Sequence, residues 1–381
     1  MPAVCFAEPA TSFIPAIGTF FPTNGMSYWQ RAVNLAVTKV TRGFVSYAYW
    51  HPNAWLQTII QKHSINMQWP YVHFMMLLVN SNWIIEPPRA VAPNTKYIGP
   101  ILPEPAQELP QQLKAWVEGS GLKGTVFISF GGTLQAPLTA SRTLIKIIKD
   151  MPDVRFVWKL STEEQVSLEV DLQQADLANV LIHEWVPQND LLGHPKVTAF
   201  VTQGGYLSMA EAAYHAVPIL GLPFILGQGE LIRFARDQGR ARMLPGDTLL
   251  KGDVATFVSA LHDLLGNQSY SNSASIASQR LKAVARPYAE TAAELVEYAA
   301  AVKEHGPFLH TQKMYQKWYQ QQMLDVLVVY LVVAVALLVP LWRCCSPLCW
   351  RLRSGALFRR LPATAVISLQ SAKIKERPKA A

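Results

Sequence analysis

A chain of 381 residues, half of them apolar, is long enough for two globular cores. Its net charge of +8 comes entirely from the tail: residues 343–381 hold nine of the 34 Lys and Arg and one of the 26 Asp and Glu, which leaves 25 of each sign in residues 1–342. A neutral body excludes the basic stripe of a nucleic-acid binder, and four cysteines, three of them clustered at Cys344, Cys345 and Cys349, exclude a disulfide framework.

The first residues, MPAVCFAEPA, have neither a basic n-region nor an apolar h-region and do not read as a signal peptide. Residues 1–83 are helix-like with little strand, as in MSYWQRAVNLAVTKVTRGFVSYAYW, and read as a partial domain. Residues 84–112 contain seven prolines, which remove donors and block helix, so an extended interdomain linker is expected there. Ile98, Ile101 and Leu102 suggest that it packs over a surface.

From 113 to 305 strands and helices alternate. GTVFISFGG, VRFVWKL, NVLIHEW, VTAFVT and VPILGLP read as strands. PLTASRTLIKIIKD (137–150) and GGYLSMAEAAYHA read as helices, followed by helical stretches near 251–266 and 276–303. That alternation predicts a Rossmann-like α/β domain with a parallel sheet and ligands at the carboxyl ends of its strands.

Residues 306–323 read as an amphipathic connector. The uncharged run VLVVYLVVAVALLVPLW, within 324–342, approaches the ~20 residues of a transmembrane helix. Trp318 and Tyr319 suit the membrane interface, and residues 343–381 form a basic tail placed in the cytoplasm by the positive-inside rule. The three cysteines past the run are palmitoylation candidates or free thiols. The body would then be lumenal, which calls for a leader. Either the chain continues upstream of Met1 or its topology differs from what the tail suggests.

Two strand–Gly-Gly–helix turns, at Gly131-Gly132 and Gly204-Gly205, offer room for a phosphate beside a helix N-terminus, although tight turns use glycine anyway. Two in one sheet favour a nucleotide. In EWVPQNDLLGHPKVTAF, Trp185 suits stacking on a flat base and Gln188 its hydrogen-bonding edge, whereas Trp158 reads as a packing residue. No His/Cys cluster has metal spacing. Asn267-Gln268-Ser269 is a glycosylation sequon, compatible with a lumenal body, though such triplets are common by chance.

The stretch from Trp185 to Gln228 resembles the C-terminal signature of the membrane-bound, animal-type UDP-glycosyltransferases, which include the UDP-glucuronosyltransferases. NSNWIIEPPRAVAPNTKYIGPI resembles the family's interdomain segment, KWYQQQMLDVLVVYL its entry into the membrane helix, and FIPAIGTFFPTNGMSYWQRAVN the later part of its acceptor domain. The resemblance implies two facing Rossmann-like domains (GT-B type), with the N-terminal, acceptor-binding one incomplete in residues 1–83 and a C-terminal transmembrane helix. It implies transfer of a hexosyl group, glucuronosyl or glucosyl, from a UDP-sugar co-substrate to a small lipophilic acceptor. No cofactor is implied. A single-pass location in the endoplasmic reticulum is, with family members as oligomeric partners.

Carried over by position, Trp185 stacks on uracil, Gln188 contacts uridine, and Gly204, Gly205 and Ser208 hold the diphosphate. Glu211 takes the ribose hydroxyls, Gly131 and Thr133 add a facing phosphate turn, and Gln228 touches the sugar. Four positions depart from the pattern. Gln203 replaces a His, Gly227 an Asp and Leu207 an Asn, and Glu230-Leu231 replaces an acidic–Asn pair. The family's catalytic His and its orienting Asp belong to a segment with no counterpart here, so no catalytic residue is assigned, and none of the nine His, among them His51, His63, His73 and His194, has the required context. Two readings follow: a shortened form of a working enzyme, or a catalytically silent, membrane-anchored UDP-sugar binder.

Overall fold

The computed structural model describes residues 26–50, 76–89, 91–119, 124–132, 136–224, 227–284, 286–302, 316–321 and 323–353. The chain falls into two compact units, Met1–Thr311 and Gln312–Ala381.

The first unit is built on a six-stranded, wholly parallel sheet. Its strands are β3 (Thr125–Ser129), β4 (Arg155–Lys159), β5 (Val180–His183), β6 (Val197–Thr202), β7 (Ile219–Gly221) and β8 (Ala241–Met243), in the order β5-β4-β3-β6-β7-β8. The chain winds outward from β3 to one edge and then from β6 to the other. The order therefore reverses between β3 and β6, the place where open α/β sheets bind ligands at the carboxyl ends of their strands. Both glycine turns of the sequence lie at this switch point.

Helices cover both faces, and the central strands are accordingly apolar throughout. All five residues of β3 are buried. Val126 and Ile128 face one core with Leu144, Ile147 and Ile148 of α3 (Leu138–Lys149). Phe127 faces the other core with residues of α2 (Gln111–Glu118), α7 (Tyr206–Tyr214) and α8 (Gln228–Asp237). Phe127 pairs across strands with Phe200, and the rings stack at 5.0 Å. Truncating a fully buried Phe leaves a cavity, so Phe127→Ala is expected to cost about 3–5 kcal/mol in urea unfolding.

Before the sheet lie α1 (Tyr28–Trp50) and a two-stranded parallel ladder, β1 (Leu77–Val79) with β2 (Thr95–Tyr97). The proline-rich segment thus contributes a strand. Ile85, Ile98 and Leu109 of that segment are buried, while Leu102 is 53% exposed and does not serve the packing expected of it.

Between β4 and β5 run two short helices, α4 (Thr162–Ser167) and α5 (Glu169–Ala175), and α6 (Gln188–Leu192) follows β5. After β8 come α9 (Val254–Gly266), α10 (Gln268–Lys282) and α11 (Tyr288–Ala301). The helical stretch expected over 276–303 is two helices, because Pro287 interrupts the ladder and serves as N-cap of the second.

The second unit contains α12 (Trp318–Gln321) and α13 (Leu324–Arg353). Leu327, Val329, Leu331, Val333, Leu337 and Leu338 of α13 are exposed. Among the described residues no helix is long and apolar enough to cross a membrane. The Leu341 side chain, inside the uncharged run, lies outside that set.

Candidate functional site

Two turns meet at the switch point. Gly131 follows β3 with φ +81°, and an added Cβ there would lie 2.6 Å from Gln203 Nε2. Gln203 follows β6. Its side chain is buried, and its Oε1 accepts a hydrogen bond from the Thr202 hydroxyl at 3.0 Å. The amide thus occupies the space between the Gly131 turn and Gly205, whose Cβ position lies 3.3 Å from the same nitrogen.

Gly204 has φ +89°, and a Cβ would sit 2.6 Å from Ile232 Cδ1 and 3.0 Å from the Gln228 carbonyl oxygen. Its lack of a side chain is thus required by α8, which packs directly onto the turn. The sequence reading weighed ligand approach and a tight turn for that glycine, and helix packing adds to both. Gly132, by contrast, faces open space. Gly205 is the N-cap of α7 with no side chain capping the helix, so the first-turn N–H groups and the positive end of the dipole stay available to an anion. Gly204→Ala is expected to destabilise the domain by at least ~1–2 kcal/mol from the left-handed backbone alone, with the Ile232 clash added, as read by thermal unfolding.

A second group hangs on α7. Ser208 and Glu211, three residues apart, share one face. Gln188, the first residue of α6, donates through Nε2 to Ser208 Oγ at 3.1 Å and to Glu211 Oε2. Burial raises the Glu211 carboxyl above the ordinary glutamate range and the charge of Asp190 adds to this, while the Gln188 hydrogen bond and Lys159 oppose it. Just past β5, Trp185 is 71% exposed, whereas Trp158 on β4 is buried in the core at 1%. An exposed aromatic ring three residues before an amide that is bonded to a carboxylate suits a planar ligand that carries hydroxyl donors.

Gln228 opens α8 just after Gly227, and its Oε1 accepts from the Phe224 N–H at 3.0 Å. Of the residues singled out from the sequence, the structure brings Gly131, Gln203, Gly204, Gly205 and Gln228 together at one turn. Gln188, Ser208 and Glu211 form the adjoining group. Thr133 lies outside the described residues.

A network beyond the sequence reading supports α6. Asn189 Oδ1 accepts from His215 Nε2 at 2.9 Å and from the Glu104 N–H at 3.2 Å, and Asn189 Nδ2 donates to the Glu104 carbonyl at 3.1 Å. Asp190 Oδ1 accepts from the Gln107 N–H at 2.9 Å. The proline-rich segment is thereby strapped to the helix that starts with Gln188. These partners are more than 80 residues apart in the chain, and only the polar run QND hinted at them.

Burial, helped by Lys282 and opposed by Asp190, lowers His215 to about 4. The unfolded chain takes up a proton near the ordinary ~6.5 that the folded chain refuses until about 4. The stabilisation from neutral His215 is therefore complete above ~6.5 and is lost as pH falls toward 4. The urea midpoint is expected to drop between pH 7 and 5, less so in His215→Gln.

Comparison with known proteins decides the family. The family model described as UDP-glucoronosyl and UDP-glucosyl transferase matches residues 5–355. The chain belongs to the UDP-glycosyltransferase family.

UDP-glucuronosyltransferase 2C1 of Oryctolagus cuniculus is 32% identical over 284 residues, covering 71% of this chain and 51% of that protein. The 2-hydroxyacylsphingosine 1-beta-galactosyltransferase of Rattus norvegicus is 28% identical over 274 residues, with 71% and 48% covered. The chain spans about half the length of the curated relatives it matches. The crystal structure of Os79 from O. sativa in complex with UDP superposes with a TM-score of 0.50 at 19% identity, covering 59% of this chain and 55% of that one. That likeness and the parallel sheet give an α/β fold of the GT-B glycosyltransferase type. The four positions read from the sequence as departures have distinct places in the structure. Gln203 fills the turn, Leu207 is exposed in the first turn of α7, Leu231 packs against the core, and Gly227 has φ +95°.

Proposed function

We propose that the cluster from Trp185 to Gln228 binds a UDP-sugar, the co-substrate for hexosyl transfer, glucuronosyl or glucosyl, to a small lipophilic acceptor. Trp185 stacks on uracil and Gln188 reads its edge. Gly204, Gly205 and Ser208 hold the diphosphate, faced by Gly131, Thr133 and Gln203. Glu211 accepts from the ribose hydroxyls, and Gln228 meets the sugar. The observation that carries this reading is the exposed Trp185, three residues before Gln188 in the chain, together with the part-buried Gln188–Ser208–Glu211 group. The UDP held by Os79 and the glucuronosyl and galactosyl transfer named in the relatives support it.

Binding of radiolabelled UDP-glucose and UDP-glucuronic acid tests the reading. Saturable retention displaced by UDP is expected, and non-saturable retention of both would sink it.

A second reading, a binder without turnover, is favoured by the neutral Gln203 amide between the turns. A positioned base is worth roughly 10²–10⁴ in rate. Transfer to lipophilic phenols by this chain is therefore expected at background, and turnover abolished by replacing any one of the nine His would overturn that expectation.

The family reading also places residues 324–342, the first part of α13, across a membrane of the endoplasmic reticulum, with the body lumenal and residues 343–381 cytoplasmic. Its support is the exposed apolar surface of α13 and the nine basic residues after Trp342. Carbonate-resistant membrane association that is lost on truncation after Met323 is the expected result; association unchanged by the truncation contradicts the assignment.

A further inference from the structure

The only Asn-X-Ser/Thr triplet in the chain is Asn267-Gln268-Ser269, and the fold presents it for use. Asn267 and Ser269 are both exposed, at the junction between α9 and α10. Asn267 has extended backbone, φ −99° and ψ 103°, and its Oδ1 accepts the Ser269 N–H at 3.0 Å. This Asx-type turn ties down the acceptor end of the amide. Nδ2, the nitrogen a glycan would use, makes no hydrogen bond among the described residues.

The position is also remote from the donor cluster. Ser273 of α10 lies against Gly239, 3.0 Å from its Cβ position, and Gly239 immediately precedes β8. Asn267 therefore emerges near the amino ends of the parallel strands, whereas Trp185, Ser208 and Glu211 gather at the carboxyl ends. A bulky, hydrated substituent at Asn267 buries nothing and blocks nothing at the site.

We propose that Asn267 carries an N-linked glycan. Asn267 Nδ2 forms a bond to the anomeric carbon of an oligosaccharide delivered by a polyprenyl-diphosphate carrier. The carbon–oxygen bond to the diphosphate breaks, the lipid diphosphate departs with the electron pair, and the amide proton passes to a base of the transferring enzyme. The inference rests on the lumenal placement of the body proposed above. The test keeps the two apart.

The full chain is expressed in cultured eukaryotic cells, and microsomes are isolated. They are examined for protease protection of the body and for a mobility shift on treatment with peptide-N-glycosidase. One discrete shift is expected, with conversion of Asn267 to Asp read by mass spectrometry. It is lost in Ser269→Ala and kept in Ser269→Thr, and UDP affinity is the same in both. A protease-protected body with no shift overturns the glycan and leaves the topology standing. A protease-accessible body with no shift overturns both.

Discussion

Trp185→Ala is expected to weaken UDP binding by roughly 5- to 150-fold while leaving the unfolding midpoint almost unchanged. Stacking of a base on an aromatic side chain is worth about 1–3 kcal/mol, and each ~1.4 kcal/mol is tenfold in affinity. The indole is 71% exposed, so its removal opens no cavity, and the stability change should stay within about 0.5 kcal/mol. Trp185→Phe keeps a ring and should retain most of the affinity. Trp158→Ala gives the opposite pattern: the side chain is 1% exposed, and its loss should cost about 3–5 kcal/mol of stability. Calorimetric titration with UDP, paired with urea unfolding, separates the two tryptophans. Unchanged affinity in Trp185→Ala refutes the stacking role.

Glu211→Ala is expected to lower UDP affinity by roughly 10- to 150-fold, from the loss of hydrogen bonds to a charged acceptor worth about 1.5–3 kcal/mol. The loss should be selective. Wild type should prefer UDP over 2′,3′-dideoxy-UDP, and the variant should bind the two alike. A variant that keeps the wild-type preference assigns the ribose to other residues.

The carboxyl is raised by burial, so affinity for UDP should begin to fall on acidification above the ordinary glutamate range. The sign for stability is the reverse. A folded-state pKa above the unfolded value favours the protonated form, and stability therefore declines as pH rises from the unfolded to the folded pKa. Glu211→Ala removes that cost at neutral pH, although Gln188 loses a partner.

Much of the sheet was legible because its chemistry is local. TVFIS and VTAFVT are continuous apolar runs that only a strand covered on both faces needs, and α3 shows Leu144, Ile147 and Ile148 at helical spacing. β8 has three residues, too few for periodicity to stand out; α8 does carry Leu231, Phe234 and Ala235 at helical spacing, a signal beyond the sequence reading. The polar α4 and α5 bury none of their own residues and gave no apolar signal.

In the site, the i, i+3 spacing of Ser208 and Glu211 places both on one face of α7. Their meeting with Gln188, 20 and 23 residues earlier, depends on β6 returning the chain to the switch point. The role of Gly204 was only half legible. The turn was evident, but that Ile232 of α8 fills its empty side is a tertiary contact that no local pattern shows. Gly227 became clearer. With φ +95° and ψ −36°, its backbone is open to glycine, and any residue with a side chain would be strained there.

The central claim is that the carboxyl ends of β5 and β6, with α6 and α7, form a uridine-diphosphate site. Calorimetric titration of the chain with UDP, CDP and inorganic pyrophosphate tests it most directly. Saturable one-to-one binding of UDP at micromolar or weaker affinity, with CDP weaker and pyrophosphate weakest, is the predicted result. Pyrophosphate binding as tightly as UDP, or no saturable heat with UDP at all, would contradict it.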